Sequence, residues 1–331
     1  MSRSSVANRG LRVAIVGAST LEGTRIREQL ERVRIPGERV NLFGESGEEV
    51  AIGEYAGEAR IVQQSEVGDV AGHDVVFLCE RSEVAEALSW RAPGERVILD
   101  LVGALPDRVG ATMLEVATLR PITEPGFYGM PHPIASALTQ LLTPIERAVG
   151  IEEATAVVMQ PAADFGDAGV QELREQTVRL LNFLELPIEH FGRQLAFNVM
   201  PSAALKCGNG DQEQQIQNQL TSMLGWERPR ASIRLVASSH FFGHAMELRV
   251  KPRGGDETVL GAALQEAGLI AAATDAAAAT TPMDVADEQR TVVERLSSDG
   301  MGGYWMWVVA GGATSQSARI AVDSLRDYLR R

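Results

Sequence analysis

The stretch from Leu11 to Val33 reads Leu-Arg-Val-Ala-Ile-Val-Gly-Ala-Ser-Thr-Leu-Glu-Gly-Thr-Arg-Ile-Arg-Glu-Gln-Leu-Glu-Arg-Val. Its apolar start, up to Val16, has the composition of a buried strand, and Ile26, Leu30 and Val33 recur at helical spacing. A short turn that begins and ends with glycine separates the two. This order of strand, glycine-rich turn and helix is typical of the first unit of a nucleotide-binding α/β domain.

The turn itself is the candidate cofactor-binding segment, through Gly17, Ser19, Thr20, Leu21 and Gly23. A dinucleotide turn of this type is expected to read GxxGxxG, because glycine lets the backbone approach a diphosphate closely. Gly17 and Gly23 match, whereas Thr20 places a Cβ and a hydroxyl at the middle position. Three carboxylates stand where a 2′-phosphate would be held, in Gly44-Glu-Ser-Gly-Glu-Glu49. We therefore expect the turn to be kept for its structure, with weak cofactor binding.

Further strands are predicted over Arg39 to Phe43, Asp74 to Cys79 and Arg96 to Leu101, with a helix over Ser82 to Ala92. The run before Cys79 is apolar throughout, which favours burial on both faces of a sheet. The sequence thus predicts an α/β fold with a Rossmann-type, doubly wound parallel sheet. Cys79 ends such a strand, so we interpret it as a core residue and not as a reactive thiol.

Length and charge limit the classes of protein that need to be considered. The chain has 331 residues, 45% of them hydrophobic, and a formal net charge of -13. Two domains are therefore possible, and the acidic balance argues against nucleic acid or an anionic membrane surface as a partner. The two cysteines form no CxxC pair, and no apolar run reaches the length of a membrane span. We expect a cytoplasmic protein.

The second half of the chain mixes strand and helix patterns. Strands are predicted over Ile151 to Met159, over Ala231 to Val250 in two segments, and over Gly302 to Val309. Helices are predicted over Val170 to Phe183, Asp211 to Leu224, the start of the alanine-rich stretch Leu260 to Thr281, and Ala313 to Leu329. We expect a Rossmann-like domain over residues 1–130, completed by the terminal helix at 313–331. An α+β domain then covers residues 131–312.

A histidine pair, His240 and His244, has the spacing of a zinc-binding pair on a helix. The surrounding stretch has β character with Gly243 inside it, and no third ligand is close in sequence. The sequence therefore does not favour a metal site.

Five segments together resemble the aspartate-semialdehyde dehydrogenase family over nearly the whole chain. They are Ile15 to Gly23, Gln160 before the Gly166 turn, Gly192-Arg-Gln-Leu-Ala-Phe-Asn198, Phe242-Gly-His244, and the final strand and helix. The resemblance is strongest to the USG-1-like branch, which lacks the catalytic cysteine. It implies an NADP-binding Rossmann domain, an α+β dimerisation domain and a homodimer. It also implies an ancestral reaction in which a thiolate converts an aldehyde into a thioester while hydride passes to NADP.

The resemblance assigns roles to particular residues. Where the family has Asn-Pro-Asn-Cys-Ser/Thr, the stretch Gly129 to Gln140 places Pro133 at the nucleophile, or Ala135 in a register shifted by two. Gln160 matches the glutamine that orients the thioester, and His244 matches the general acid–base histidine. Alternatively, both are structural residues that satisfy hydrogen bonds in a pocket.

Other positions depart from the family pattern. Ala237 and Gln215 stand where the family has an arginine and a lysine for the substrate carboxylate, and Glu80 to Glu83 and Gly311 to Thr314 replace two cofactor segments. We therefore expect a noncatalytic homologue with a structural or regulatory role. The alternative is an NADP-dependent oxidoreductase with an altered nucleophile or none, acting on an aldehyde or acyl phosphate such as aspartate semialdehyde in amino-acid biosynthesis. A third possibility is a module that binds a small molecule without turnover.

Overall fold

The computed structural model of the chain describes residues 10–44, 52–105, 109–114, 121–269, 280–285, 291–311 and 313–330. The acidic stretch at 45–49 and the alanine-rich stretch at 271–279 lie outside these ranges. The chain divides into two compact units, Met1–Pro131 with Thr314–Arg331, and His132–Ala313. No helix in the described ranges has both the length and the apolar character that a membrane span requires.

The strands are, in chain order, β1 Val13–Val16, β2 Val40–Gly44, β3 Ile52–Tyr55, β4 Glu58–Ile61, β5 Gln63–Gln64, β6 Val75–Leu78, β7 Val97–Asp100, β8 Thr112–Met113, β9 Gly126–Gly129, β10 Ile151–Gln160, β11 Val199–Pro201, β12 Ala231–Ser238, β13 His244–Pro252, β14 Thr291–Ser298 and β15 Tyr304–Ala310. The helices are α1 Leu21–Arg32, α2 Val67–Val70, α3 Glu83–Ser89, α4 Pro133–Val149, α5 Gly166–Leu181, α6 Gln212–Met223, α7 Glu257–Glu266, α8 Pro282–Val285, α9 Ala313–Ser324 and α10 Arg326–Leu329.

In the first unit, seven of the described strands form one sheet in the order β5-β2-β1-β6-β7-β9-β8. All neighbouring strands in it are parallel. Because β1 lies inside the sheet and the chain passes to both sides of it, the connections are crossovers, as in a doubly wound fold. The predicted α/β class is confirmed.

Residues of β1 alternate between two buried layers, as the two-residue period of a strand requires. Ile15 belongs to a cluster with Leu30 of α1 and Ile320 of α9. Val16 belongs to another cluster with Leu88 of α3. Helices therefore cover both faces of the sheet, which is why its central strands are apolar throughout.

The C-terminal segment packs within the first unit but differs from the predicted single helix over Ala313 to Leu329. Helix α9 ends at Ser324, whose carbonyl accepts a hydrogen bond from Ile122 N at 2.7 Å. Leu325, fully buried, separates α9 from α10 and packs in the same cluster as α1. A tertiary hydrogen bond thus ends a helix that the periodicity alone would continue.

The second unit contains a six-stranded sheet in the order β11-β12-β10-β13-β15-β14. The pair β10–β12 is parallel and the others are antiparallel. One face is covered by helices, with Leu138 of α4, Leu220 of α6 and Leu260 of α7 packed against Val158 and Leu248 of the sheet. Burial of each such side chain contributes about 1.5–3 kcal/mol. The opposite face of the sheet carries half-buried side chains.

Helix α5 starts at Gly166, four residues before the predicted start, and fixes the segment that follows it. The buried carboxylate of Glu172 accepts hydrogen bonds from His190 N and Phe191 N, at 2.6 and 2.9 Å. The buried amide of Gln176 accepts from Leu195 N and donates to Pro187 O, both at 2.8 Å. The side chains of Glu172 and Gln176 thus satisfy backbone groups of the irregular segment after α5, which strand pairing does not satisfy.

Candidate functional site

The glycine turn of the first unit is closely packed. Gly17 has a φ of +82°, and a Cβ on Gly23 would lie 2.2 Å from Gly17 O, so both positions require glycine. Thr20 is the N-cap of α1, where its Oγ1 accepts from Gly23 N at 3.1 Å and lies 2.8 Å from Gly17 O. Its hydroxyl is therefore engaged by the turn itself. Ser19 is exposed at the tip, and Leu21 is the first residue of α1.

Several backbone N–H groups of this turn are also bonded within the protein. Gly17 N and Ala18 N both donate to Phe43 O at 2.9 Å, and Thr20 N donates to Gly17 O at 3.1 Å. Glu22 adds a carboxylate to the first turn of α1. A diphosphate is held by free N–H groups at a helix N-terminus, and nearby negative charge opposes it. These residues do not fit a tightly bound dinucleotide.

In the second unit, the structure brings Gln160 and His244 together through a residue that the sequence did not single out. Gln160 ends β10 and His244 begins β13, the antiparallel neighbour of β10. A 3-10 turn follows β10 and carries Asp164. Asp164 Oδ2 lies 2.8 Å from Gln160 Nε2 and 2.8 Å from His244 Nε2. The four-residue spacing from Gln160 to Asp164 was the signal available in the sequence.

The protonation of this cluster follows from its contacts. Burial raises the pKa of the Asp164 carboxyl, but the charge and hydrogen bond of the His244 imidazole outweigh it and leave the pKa below its ordinary value. An ionised carboxylate only accepts, so Gln160 must present its NH₂ and His244 its Nε2–H. Gln160 Oε1 is then left without a hydrogen-bond partner in the described part of the chain, on a side chain with 0% exposure.

The start of α4 holds a second histidine that the sequence did not single out. His132 is the N-cap, and its Nδ1 accepts from Ile134 N at 3.2 Å. Because that donor is a backbone N–H, the neutral ring carries its proton on Nε2, which lies 2.9 Å from the side-chain nitrogen of Gln212. A hydrogen bond from Nε2–H then requires the Gln212 amide to turn its oxygen toward the ring. His132 N donates to Gln219 Oε1 at 2.8 Å. Burial lowers the pKa of His132 to about 4.

Pro133 is the first residue of α4, a position that suits its fixed φ and its missing N–H. Ala135, the alternative position of the nucleophile, is buried in the helix. Neither side chain carries an atom that can attack a carbonyl. The two cysteines are free; Cys79 is buried in the first unit, where burial raises its pKa well above the usual value, and Cys207 is partly buried.

The remaining predicted positions offer no cation to a substrate. Ala237 is fully buried, and Gln215 is exposed on α6. His240 forms its hydrogen bonds with other groups than Asp164. They join its ring to Ser238 Oγ at 2.7 Å and to Gly243 O at 2.6 Å. Among the described residues, no three His, Cys, Asp or Glu side chains are arranged to hold a metal ion.

Structural comparison extends over nearly the whole chain. Aspartate semialdehyde dehydrogenase II from Vibrio cholerae superposes with a TM-score of 0.83 at 22% identity, covering 97% of this chain and 99% of that one. The Candida albicans enzyme, solved with NADP, superposes with a TM-score of 0.67 at 13% identity, covering 96% and 99%. These likenesses concern the fold.

Sequence comparison also finds aspartate-semialdehyde dehydrogenases and USG-1 protein homologs, although no family model matches the chain. Aspartate-semialdehyde dehydrogenase from Rickettsia conorii is 24% identical over 336 aligned positions, which cover 96% of this chain and 98% of that protein. The USG-1 protein homolog of Pseudomonas aeruginosa is 26% identical over 254 positions, covering 73% and 74%. By sequence, the chain is thus similar over nearly its whole length to proteins of the aspartate-semialdehyde dehydrogenase family.

Proposed function

We propose that this chain is a member of the family that does not catalyse its thioester reaction and that serves a structural or regulatory role, as the USG-1-like resemblance implies. The observation that carries the proposal is the start of α4, where the residue that the resemblance assigns to the nucleophile position is Pro133. Covalent catalysis needs an attacking atom, and proline has none. The N–H of Ile134, which would help to stabilise a thiolate there, is occupied by His132.

Two further features support the proposal. Ala237 and Gln215 supply no positive charge for a substrate carboxylate, whereas a guanidinium would bind it through two hydrogen bonds. The glycine turn uses the N–H groups of Gly17, Ala18 and Thr20 within the protein. We therefore propose that NADP, the cofactor implied by the family, binds weakly or not at all.

The test is the phosphate-dependent reduction of NADP by aspartate semialdehyde, followed by the absorbance of NADPH. We expect no turnover by the native chain, with an active dehydrogenase of the family as the positive control. Turnover clearly above the uncatalysed rate would contradict the proposal.

One observation favours a second candidate function, an NADP-dependent oxidoreductase that works without a covalent intermediate. The cluster of Gln160, Asp164 and His244 has the form of an acid–base site, since a carboxylate orients a histidine. Titration of NADPH fluorescence separates the two candidates. A dissociation constant in the low micromolar range would favour the oxidoreductase.

We also propose a cytoplasmic homodimer that associates through the half-buried face of the second sheet. A cavity of about 420 Å³ on this sheet is lined by Glu247, Arg295, Ser297, Trp305 and Trp307. Aromatic and arginine side chains are enriched at interfaces, and residues of both signs suit a patch that meets its own copy. Light scattering should give about twice 35.7 kDa for the native chain.

The matched variants Trp305→Glu and Trp90→Glu test which surface is involved. Trp305 lies in the cavity lining, whereas Trp90 is 69% exposed in the other unit. We expect Trp305→Glu to be monomeric and Trp90→Glu to remain dimeric. A native monomer at micromolar concentration, or a dimer that survives Trp305→Glu, would contradict this interface.

A further inference from the structure

The loop before α6 contains the only asparagine of the chain that is followed by glycine, Asn209 before Gly210. Asn209 is exposed, and its Oδ1 accepts a hydrogen bond from Asp211 N at 3.0 Å. The ring that this hydrogen bond closes contains both Cγ of Asn209 and N of Gly210, so the side chain is folded back along the next peptide group. The donated proton also stabilises negative charge that develops on Oδ1. Cγ is therefore prepared for attack by the nitrogen of Gly210.

Gly210 offers little resistance to that attack. Within the described ranges its N–H donates no hydrogen bond, so none has to be broken. A Cβ at position 210 would have no atom within 4 Å, and glycine itself has no side chain that restricts the backbone. Asn218 provides a contrast in the same part of the chain. It is also exposed, but it lies inside α6, where the N–H of Gln219 is bonded along the helix.

We propose that Asn209 is a site of spontaneous modification in the folded chain, at which the side-chain amide is lost and aspartate and isoaspartate form. Gly210 N loses its proton to hydroxide and attacks Cγ of Asn209. The bond from Cγ to Nδ2 then breaks, the nitrogen leaves as ammonia with a proton from water, and a cyclic succinimide remains. Water opens the succinimide at either carbonyl carbon. Cleavage at Cγ gives aspartate, and cleavage at the backbone carbonyl gives isoaspartate, so neither step needs an oxidant or a reductant.

Both products change the start of α6. Each adds a negative charge beside the N-terminus of this helix, where the helix dipole favours it. In isoaspartate the main chain runs through Cγ and is longer by one methylene, so the first turn of α6 must shift. That helix carries Gln212 and Gln219, which contact His132 at the start of α4. The inference goes beyond the proposed function, because the modification proceeds whether or not the chain has a catalytic activity.

The test incubates the full native chain at pH 7.4 and pH 9, with a urea-unfolded sample of the same chain as the reference. Peptide mass spectrometry detects the replacement of the side-chain NH₂ by OH, and chromatography separates the two isomeric products. We expect modification of Asn209 in the folded chain at least as fast as in the unfolded chain, and faster at pH 9, because hydroxide removes the proton from Gly210 N. Asn218 should remain intact in the folded chain over the same period.

Two variants make the same change at different glycines. Neither Gly210 nor Gly254 has a positive φ, and a Cβ at either position would have no atom within 4 Å, so both alanine variants should fold. Alanine restricts the backbone at position 210 and so hinders the approach of its nitrogen to Cγ. We expect the modification of Asn209 to slow about tenfold or more in Gly210→Ala and to stay within about twofold of the native rate in Gly254→Ala.

The comparison of the folded and unfolded samples needs only the native chain, so it decides the matter without either variant. The proposal is wrong if Asn209 is modified in the unfolded chain but stays intact in the folded chain, because the fold would then protect it. It is also wrong if Asn218 is modified as fast as Asn209 in the folded chain, or if Gly210→Ala is modified at the native rate.

Discussion

Replacement of His132 by asparagine should remove part of the acid sensitivity of the protein. His132 caps α4 through Nδ1, which accepts from Ile134 N only while the ring is neutral. Asparagine is also a good N-cap, and it does not titrate. His132→Asn therefore keeps the capping hydrogen bond while removing the protonation step.

The sign and size follow from the two pKa values of His132. In the folded chain the pKa falls to about 4, against 6.5 in an unfolded chain. The unfolded state therefore takes up a proton first as the pH falls, so the neutral imidazole stabilises the fold fully above pH 6.5. That contribution is lost progressively between pH 6.5 and about 4, below which both states are protonated. The difference corresponds to about 3 kcal/mol, and to about 2 kcal/mol after allowing for the partial exposure of the ring.

Urea unfolding at pH 7.5, 5.5 and 4.5 measures this difference. The native chain should lose roughly 1–2 kcal/mol more than His132→Asn between the highest and lowest pH, because most of the titration range is crossed. His73 and His240 also have shifted pKa values, but they are present in both proteins and cancel in the comparison. Asp164 does not cancel completely, because the charge of His132 contributes to its lowered pKa. Parallel pH profiles for the two proteins would show that His132 is not held neutral by the fold.

Three other predictions concern the site and the segment beside it. Pro133→Cys should show no turnover in the NADPH assay, because a restored thiol still lacks the substrate and cofactor contacts with which it acts as a unit; strong activity would refute this. Calorimetry should detect no low-micromolar binding of NADPH to the native chain, since the N–H groups of Gly17, Ala18 and Thr20 are already bonded. Gln176→Leu should lower the free energy of unfolding by about 3 kcal/mol, because it leaves Leu195 N and Pro187 O unpaired. Replacement of the exposed Gln214 by leucine should change it by less than about 0.5 kcal/mol.

Most of the fold could be predicted from the sequence, because the apolar residues that set the local pattern are also the residues that pack in the core. The strands of the first unit are apolar enough to be buried on both faces, and the period of Ile26 and Leu30 matches the face of α1 that packs on them. The helix ends were less predictable. Ser324 ends α9 through a hydrogen bond to Ile122, about two hundred residues away in the chain, and no local signal encodes that contact.

Only part of the candidate site could be predicted from the sequence, because the rest depends on tertiary contacts that have no local signal. Gln160 and His244 were found by resemblance, but the carboxylate that joins them sits in a short turn after β10. Asp164 reaches His244 because β10 and β13 are neighbours in the sheet, which the sequence does not specify. His132 was missed because a histidine before a proline has no distinctive pattern, and its role depends on Gln212 and Gln219 from another helix.

The presence of Gln160 and His244 does not by itself indicate catalysis, for an energetic reason. Asp164 and His244 form a largely buried pair, and removal of one partner from a buried ion pair typically costs about 3–5 kcal/mol, because the other is left buried and uncompensated. Stability alone therefore opposes the loss of either residue, whether or not the site performs a reaction. Position 133 has no such constraint, since cysteine and proline are both compatible with the first turn of a helix. Pro133, at the position that the resemblance assigns to the nucleophile, is consequently the more informative residue for the proposed function, and the Asp164–His244 pair is informative mainly about stability.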